Sequence, residues 1–170
     1  MKKRLFLTGF LILVSWVVPV AYASDLKNYF TTPKEWKAVP QEEFQMVPGK
    51  AEGMTVFQTA VEKKDSLMVS VRVVHTGSQS AMKWAEDEQV AIMKQKFNPV
   101  EPPLDMTYGS THFVRMISAA HMKMGTLRDE YYFCEYPQEK ALIEVVVVGP
   151  ESFFDGQRSR IDEFLKSFHF

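Results

Sequence analysis

The sequence predicts an α+β fold, an α/β/α sandwich in which an antiparallel sheet is covered by helices on both faces. Three observations carry that expectation. The run Ala141–Val148, Ala-Leu-Ile-Glu-Val-Val-Val-Val, is short, apolar and mostly β-branched, as a strand buried on both faces must be. Gly149-Pro150 then hands over to a helical pattern, Ser152–Phe168, whose Phe154, Ile161, Leu165 and Phe168 lie close to one stripe. The order of elements is a strand-rich opening, a helix, three strands and a helix, and the connections inside each strand group are short enough to force antiparallel neighbours. Strands that are apolar on both sides need cover on both sides, and two amphipathic helices can supply it.

The chain opens with the parts of a cleavable secretory signal. Lys2-Lys3-Arg4 is a positive start, Leu5–Val18 is an almost uninterrupted apolar run, and Pro19 breaks it. Ala21 and Ala23 then place small residues where signal peptidase reads them, so Ser24 is the expected mature N-terminus. The apolar run is shorter than the roughly 20 residues that span a bilayer, so no permanent membrane anchor is expected after cleavage. No Cys stands at the junction to take a lipid. Residues 1–23 are therefore read as the signal and 24–170 as a single globular domain, periplasmic or secreted. The mature chain carries 17 basic and 21 acidic residues, a formal charge of −4, which argues against a nucleic-acid surface. With Cys134 as the only cysteine there is no internal disulfide, and stability must come from packing.

In the mature chain, Asn28–Thr32 reads as a short strand and Pro33–Trp36 as a turn that drops an aromatic toward the core. Met54–Lys63 and Leu67–His75 form a hairpin about Lys64-Asp65, with Met68, Ser70, Arg72 and Val74 sharing one face of its second strand. Ser78 or Ser80 caps a helix from about Ala81 to Phe97. Its inner stripe is Met82, Ala85, Gln89, Ile92, Met93 and Phe97, and Glu86-Asp87-Glu88 points outward. Asn98-Pro99 stops that helix, and Pro102-Pro103 keeps the following loop extended. Asp105–Ser110 is a weak lead-in with a turn or bulge at Tyr108-Gly109; Thr111–Met122 and Leu127–Tyr136 are strong strands about a turn at Gly125.

This order resembles the PsbP-like family of α/β/α sandwiches. The residues that carry the likeness are Pro33-x-x-Trp36, the hairpin, the mid-chain helix beginning near Ser80, the glycine-marked strand at Tyr108-Gly109, and the closing Phe164-Leu165-Lys166-Ser167-Phe168-His169-Phe170. The resemblance covers nearly the whole mature chain. It implies a non-enzymatic accessory or binding protein, here an exported bacterial relative whose partner is an envelope protein, and it implies no cofactor.

The chemistry-bearing residues fit that class. No Gly-x-Ser-x-Gly elbow is present, and Cys134 lies mid-strand, where an inert buried thiol is the common case, so no catalytic residue is assigned. Arg72, Arg115 and Glu144 interrupt otherwise apolar strand faces. A lone buried charge is costly, so they are expected to pair with one another or with Asp129 or Glu130. Alternatively they line a ligand cleft, which would suit a small hydrolase-like enzyme. Met116, His121, Met122 and Met124 combine thioether sulfur with imidazole, the donors that suit Cu(I), and offer a periplasmic copper carrier as a further alternative.

Overall fold

The computed structural model describes residues 26, 28–40, 55–59, 66–77, 79–95, 97–136 and 140–170. They form a seven-stranded antiparallel sheet and two helices. In chain order these are β1 (Lys37–Ala38), β2 (Thr55–Gln58), β3 (Met68–His75), α1 (Ala81–Met93), β4 (Asn98–Tyr108), β5 (Thr111–Met122), β6 (Gly125–Tyr136), β7 (Ala141–Pro150) and α2 (Glu151–Lys166). The predicted cleavage residues Ala21, Ala23 and Ser24, and the predicted hairpin turn at Lys64-Asp65, lie outside the described residues. No described helix is long and apolar enough to cross a membrane.

The strands are ordered β1-β2-β3-β7-β6-β5-β4. The apolar run Ala141–Val148 is thus in the middle strand, with β3 on one side and β6 on the other. All of Ala141–Val147 is buried, as a strand with neighbours on both edges and side chains packed on both faces should be. Tight turns set the registers. Tyr108 pairs with Thr111 across Gly109-Ser110, so Tyr108-Gly109 forms a turn rather than a bulge. Gly109 has φ +60, and a Cβ there would stand 3.1 Å from the Lys166 carbonyl oxygen, so both backbone angle and space favour glycine.

Alternate residues of the same strands enter two separate cores. Val69, Val71, Tyr132, Cys134, Ile143, Val145 and Val147 pack with Phe154, Ile161, Phe164 and Leu165 of α2, and with Leu26, Phe30 and Trp36 from the opening segment. The intervening Val114, Met116, Tyr131, Phe133, Leu142 and Val146 pack with Ala81, Ala85 and Ile92 of α1. The first core is rich in aromatic contacts, with Trp36 and Phe30 at 4.8 and 5.2 Å from Phe164 between ring centroids. Its end is stitched by hydrogen bonds to backbone carbonyls: His169 N donates to Tyr29 O at 3.0 Å, and Thr111 Oγ1 donates to Phe168 O at 2.9 Å.

Four expectations need correction. Asn98–Tyr108 is a strand, not a loop with a weak lead-in, so four strands separate the helices. It occupies the sheet edge, where a missing proline N–H is tolerated, and its register slips between Pro99 and Glu101 and again before Leu104. Asn28–Thr32 is not a strand; Tyr29 N bonds back to Leu26 O, and the segment delivers Leu26 and Phe30 to the core. The turn at Pro33–Trp36 is present, closed by Trp36 N donating to Pro33 O. α1 ends at Met93 rather than Phe97, and its buried stripe is Ala81, Ala85 and Ile92, which leaves Met93 52% exposed. Glu88, expected to face water, falls on that stripe and is half-buried. Ser80 is the cap, accepting from Lys83 N.

Candidate functional site

The register decides what the charged residues inside the sheet can do. Arg72 on β3 and Glu144 on β7 are direct cross-strand partners, and Arg72 Nε donates to Glu144 Oε2. The Glu144 side chain is 1% exposed and that of Arg72 15%. Burial works against the Arg72 charge, but the Glu144 carboxylate outweighs it and raises the guanidinium pKa. Above this pair, burial and the nearby Glu144 charge push Glu88 up to about 6, with Arg72 pulling the other way. Sequence reasoning missed Glu88 because the run Glu86-Asp87-Glu88 looks like one solvated face. The signal was there in the spacing: Ala81, Ala85, Glu88 and Ile92 follow the helical i, i+4, i+7, i+11 stripe.

Arg115 does not join them. It pairs with Tyr132 on β6, whereas Glu144 pairs with the next residue, Phe133, so Arg115 points to the opposite side of the sheet. There its Nη2 donates to Glu101 Oε1 at 2.5 Å. Arg72 and Glu144 are brought together and Arg115 is left out, so the three do not line one cleft.

Glu130 is the centre of a third charge group. Its side chain is fully buried and is forked by Arg158 of α2, with Nη2 and Nη1 at 2.6 and 2.8 Å from its two oxygens. Arg128 Nη2 stands at 2.6 Å, and the Tyr132 hydroxyl donates at 2.5 Å. Burial alone would raise the Glu130 pKa; the hydrogen bonds from Arg158 and Tyr132 and the two guanidinium charges hold it below the usual carboxylate value. Arg128 also lies over the Phe154 ring at 5.1 Å. Two residues of α2 are thereby tied to β6. Asp129, the neighbour of Glu130 and the other partner expected for these arginines, has no such arrangement. It is 4% exposed, faces Ser118 across the β5–β6 register, and burial pushes it up to about 7, a hydrogen bond with Tyr131 pulling slightly the other way.

Cys134 is 1% exposed, and burial with Glu135 nearby drives its thiol pKa far upward, so at neutral pH it is a protonated thiol inside the core. The Met/His group is divided. Met116 is fully buried in the α1 core, whereas His121 and Met122 are consecutive residues at the end of β5, on opposite faces of the ladder, and Met124 lies in the turn that follows. Among the described residues no three His, Cys, Asp or Glu side chains gather as a metal site.

Among the described residues, a concave surface lies elsewhere. A cleft of about 410 Å³ opens at one end of the sheet, between Ser80 and Met82 at the start of α1, Asp105 and His112 of the β4–β5 hairpin, Glu135, and the C-terminal Phe170. His112 Nε2 is 3.4 Å from Asp105 Oδ1. Phe170 is 54% exposed and tilts against Tyr29 at 5.6 Å. The walls mix an apolar rim with solvated charges, the composition of a surface that receives a side chain or a short segment. No local motif marks it, because α1, a hairpin, β6 and the chain end each contribute.

This architecture is the PsbP-like fold. Among solved structures, the chain is similar to CyanoP, the cyanobacterial PsbP of Synechocystis, at 14% identity and TM-score 0.52, covering 82% of this chain and 84% of that one. It is similar to LpqN of Mycobacterium tuberculosis, a protein described as involved in cell envelope biogenesis, at 9% identity and TM-score 0.53, covering 81% and 79%. A Pseudomonas aeruginosa protein of unknown function matches at 10% identity and TM-score 0.58, covering 80% and 97%. A longer structure from Bacteroides thetaiotaomicron is matched over 43% of its own length. No protein-family model matches the chain, and no curated protein matches it in sequence.

Proposed function

We propose that residues 24–170 form one exported α/β/α sandwich domain that acts as a non-enzymatic accessory or binding protein on an envelope protein. The two cores support the sandwich: alternate strand residues divide between α1 and α2, as they do when the helices lie on opposite faces of a sheet. The leader pattern of Lys2–Ala23 supports export, as does the fold likeness to LpqN, described as involved in cell envelope biogenesis.

The observation that carries the binding reading is the commitment of the in-sheet charges to one another. Arg72 holds Glu144, Arg115 holds Glu101, and Arg128 and Arg158 share Glu130. The cleft, with Met82 and Phe170 on its rim, is open to solvent, and an exposed aromatic at a concave site can anchor a partner chain.

A photo-crosslinking residue in place of Phe170, expressed with the leader in cells with an intact envelope, tests it. The expected result is one dominant adduct in the envelope fraction, abolished by Met82→Lys and not formed from a control position at exposed Glu163. Equal crosslinking from both positions would remove the cleft from the account. N-terminal sequencing of the purified protein tests export independently and is expected to begin at Ser24.

A further inference from the structure

The register gives the cleft at the end of the sheet a sign. Asp105 of β4 lies opposite Val114, and Glu135 of β6 lies opposite Leu142. Residues opposed across an antiparallel ladder share a face, and Val114 and Leu142 both belong to the α1 core. The two carboxylates therefore stand on the same side of the sheet, where the cleft opens beside the start of α1. His112 lies between them on β5, with its Nε2 at 3.4 Å from Asp105 Oδ1. All three side chains are exposed, and β5 is one strand spacing, roughly 5 Å, from β4 and from β6. None of the described residues lining the cleft is Lys or Arg. The first turn of α1 also holds no acidic residue, and its partial positive charge offsets only about half of one carboxylate.

We infer that the partner segment received in this cleft carries a Lys or Arg next to an apolar side chain. The cation lies over β5, between Asp105 and Glu135, and its apolar neighbour packs against Met82 and Phe170. This rests on the binding reading proposed above and adds the chemistry of the partner to it. The cleft volume of about 410 Å³ suits a short segment rather than a folded surface, since it lies within the range of pockets that hold small ligands. An apolar floor and rim alone would accept any hydrophobic segment. The two carboxylates reject an acidic one by like-charge repulsion and speed the approach of a basic one. Because both are solvated, each contributes little to affinity and much to selection, and that contribution is screened by salt. Methionine at the rim adapts to more than one apolar shape, so the apolar position is loosely specified and the basic position is the discriminating one.

The test is to pan a random peptide display library on the purified full protein and to measure the selected peptides by fluorescence anisotropy. The expected result is enrichment of Lys or Arg beside Leu, Ile, Met or Phe, with Asp and Glu depleted. Glu135→Lys, at an exposed position that leaves the fold intact, should weaken a selected peptide about fivefold at low salt, and the difference should vanish near about 0.5 M salt. The double variant Asp105→Lys, Glu135→Lys should select acidic peptides when panned afresh. Glu163→Lys, equally exposed on α2, should change nothing. Peptides that bind through the cleft, shown by loss of binding in Met82→Lys, but that carry no basic residue or ignore Glu135→Lys would overturn this inference alone. Peptides that survive Met82→Lys, or no enrichment at all, would overturn the cleft as a binding site and the inference with it.

Discussion

Glu144 and Arg72 hold each other inside the sheet, and removing one strands the other. Glu144→Ala is expected to destabilise by about 3–5 kcal/mol, lowering the melting temperature by about 10 °C, whereas replacing both by apolar residues of similar volume should cost far less. Calorimetry on the single and double variants checks this; equal losses would mean that the pair is not what matters. Asp129 gives the pH dependence. Its pKa is about 7 in the fold against 3.8 when exposed, so between those values the folded state holds the extra proton. Its stability contribution is complete below pH 4 and is lost as pH rises through 7, on the order of 4 kcal/mol. Glu88, raised to about 6, acts in the same direction, while the lowered Glu130 opposes both at acid pH. Asp129→Asn should therefore raise the melting temperature at pH 8 by several degrees and leave it nearly unchanged at pH 4. Pairing of the in-sheet charges was legible from composition, because an apolar run does not tolerate a lone carboxylate. The partners were not, since parity within a strand says nothing about which neighbour the sheet order supplies. Arg115 and Arg72 looked equivalent until the register put them on opposite sides.

At the scale of elements, α2 is fixed by a charged latch as well as by its aromatic face. Arg158→Ala removes the fork on Glu130 but leaves Arg128 and Tyr132 in place, so the expected cost is about 2–3 kcal/mol, with faster amide exchange concentrated in α2. Exchange that rises uniformly through the sheet instead would count against a latch. Gly109→Ala tests the β4–β5 turn, where a positive φ and the close Lys166 carbonyl combine to cost about 1–2 kcal/mol. The two long helical patterns and β5, β6 and β7 could be read from periodicity because each carries a strong one. β4 could not, because Pro99, Pro102 and Pro103 read as a loop anywhere except at a sheet edge, and an edge is a property of topology. The α1 stripe was misplaced by part of a turn because Met82 and Met93 are apolar without being central to the core.

For the molecule as a whole, Cys134 is a built-in reporter. Its thiol is buried in the larger core, so labelling by a thiol reagent should be silent in the native state and should track global unfolding across a denaturant series. Labelling in native buffer at the rate of a free thiol would contradict that burial. The strand order has a further consequence for how the chain is made. Among the described residues, β1–β3 and β4–β6 touch as sheet pieces only through β7, and β7 is the last of these strands in chain order. Until Ala141–Pro150 emerges, β3 and β6 have no partner on their inner edges, and the opening residues Leu26 and Phe30 wait for α2 to cover them. A chain with this order carries two separate half-sheets until β7 emerges to join them along its two edges.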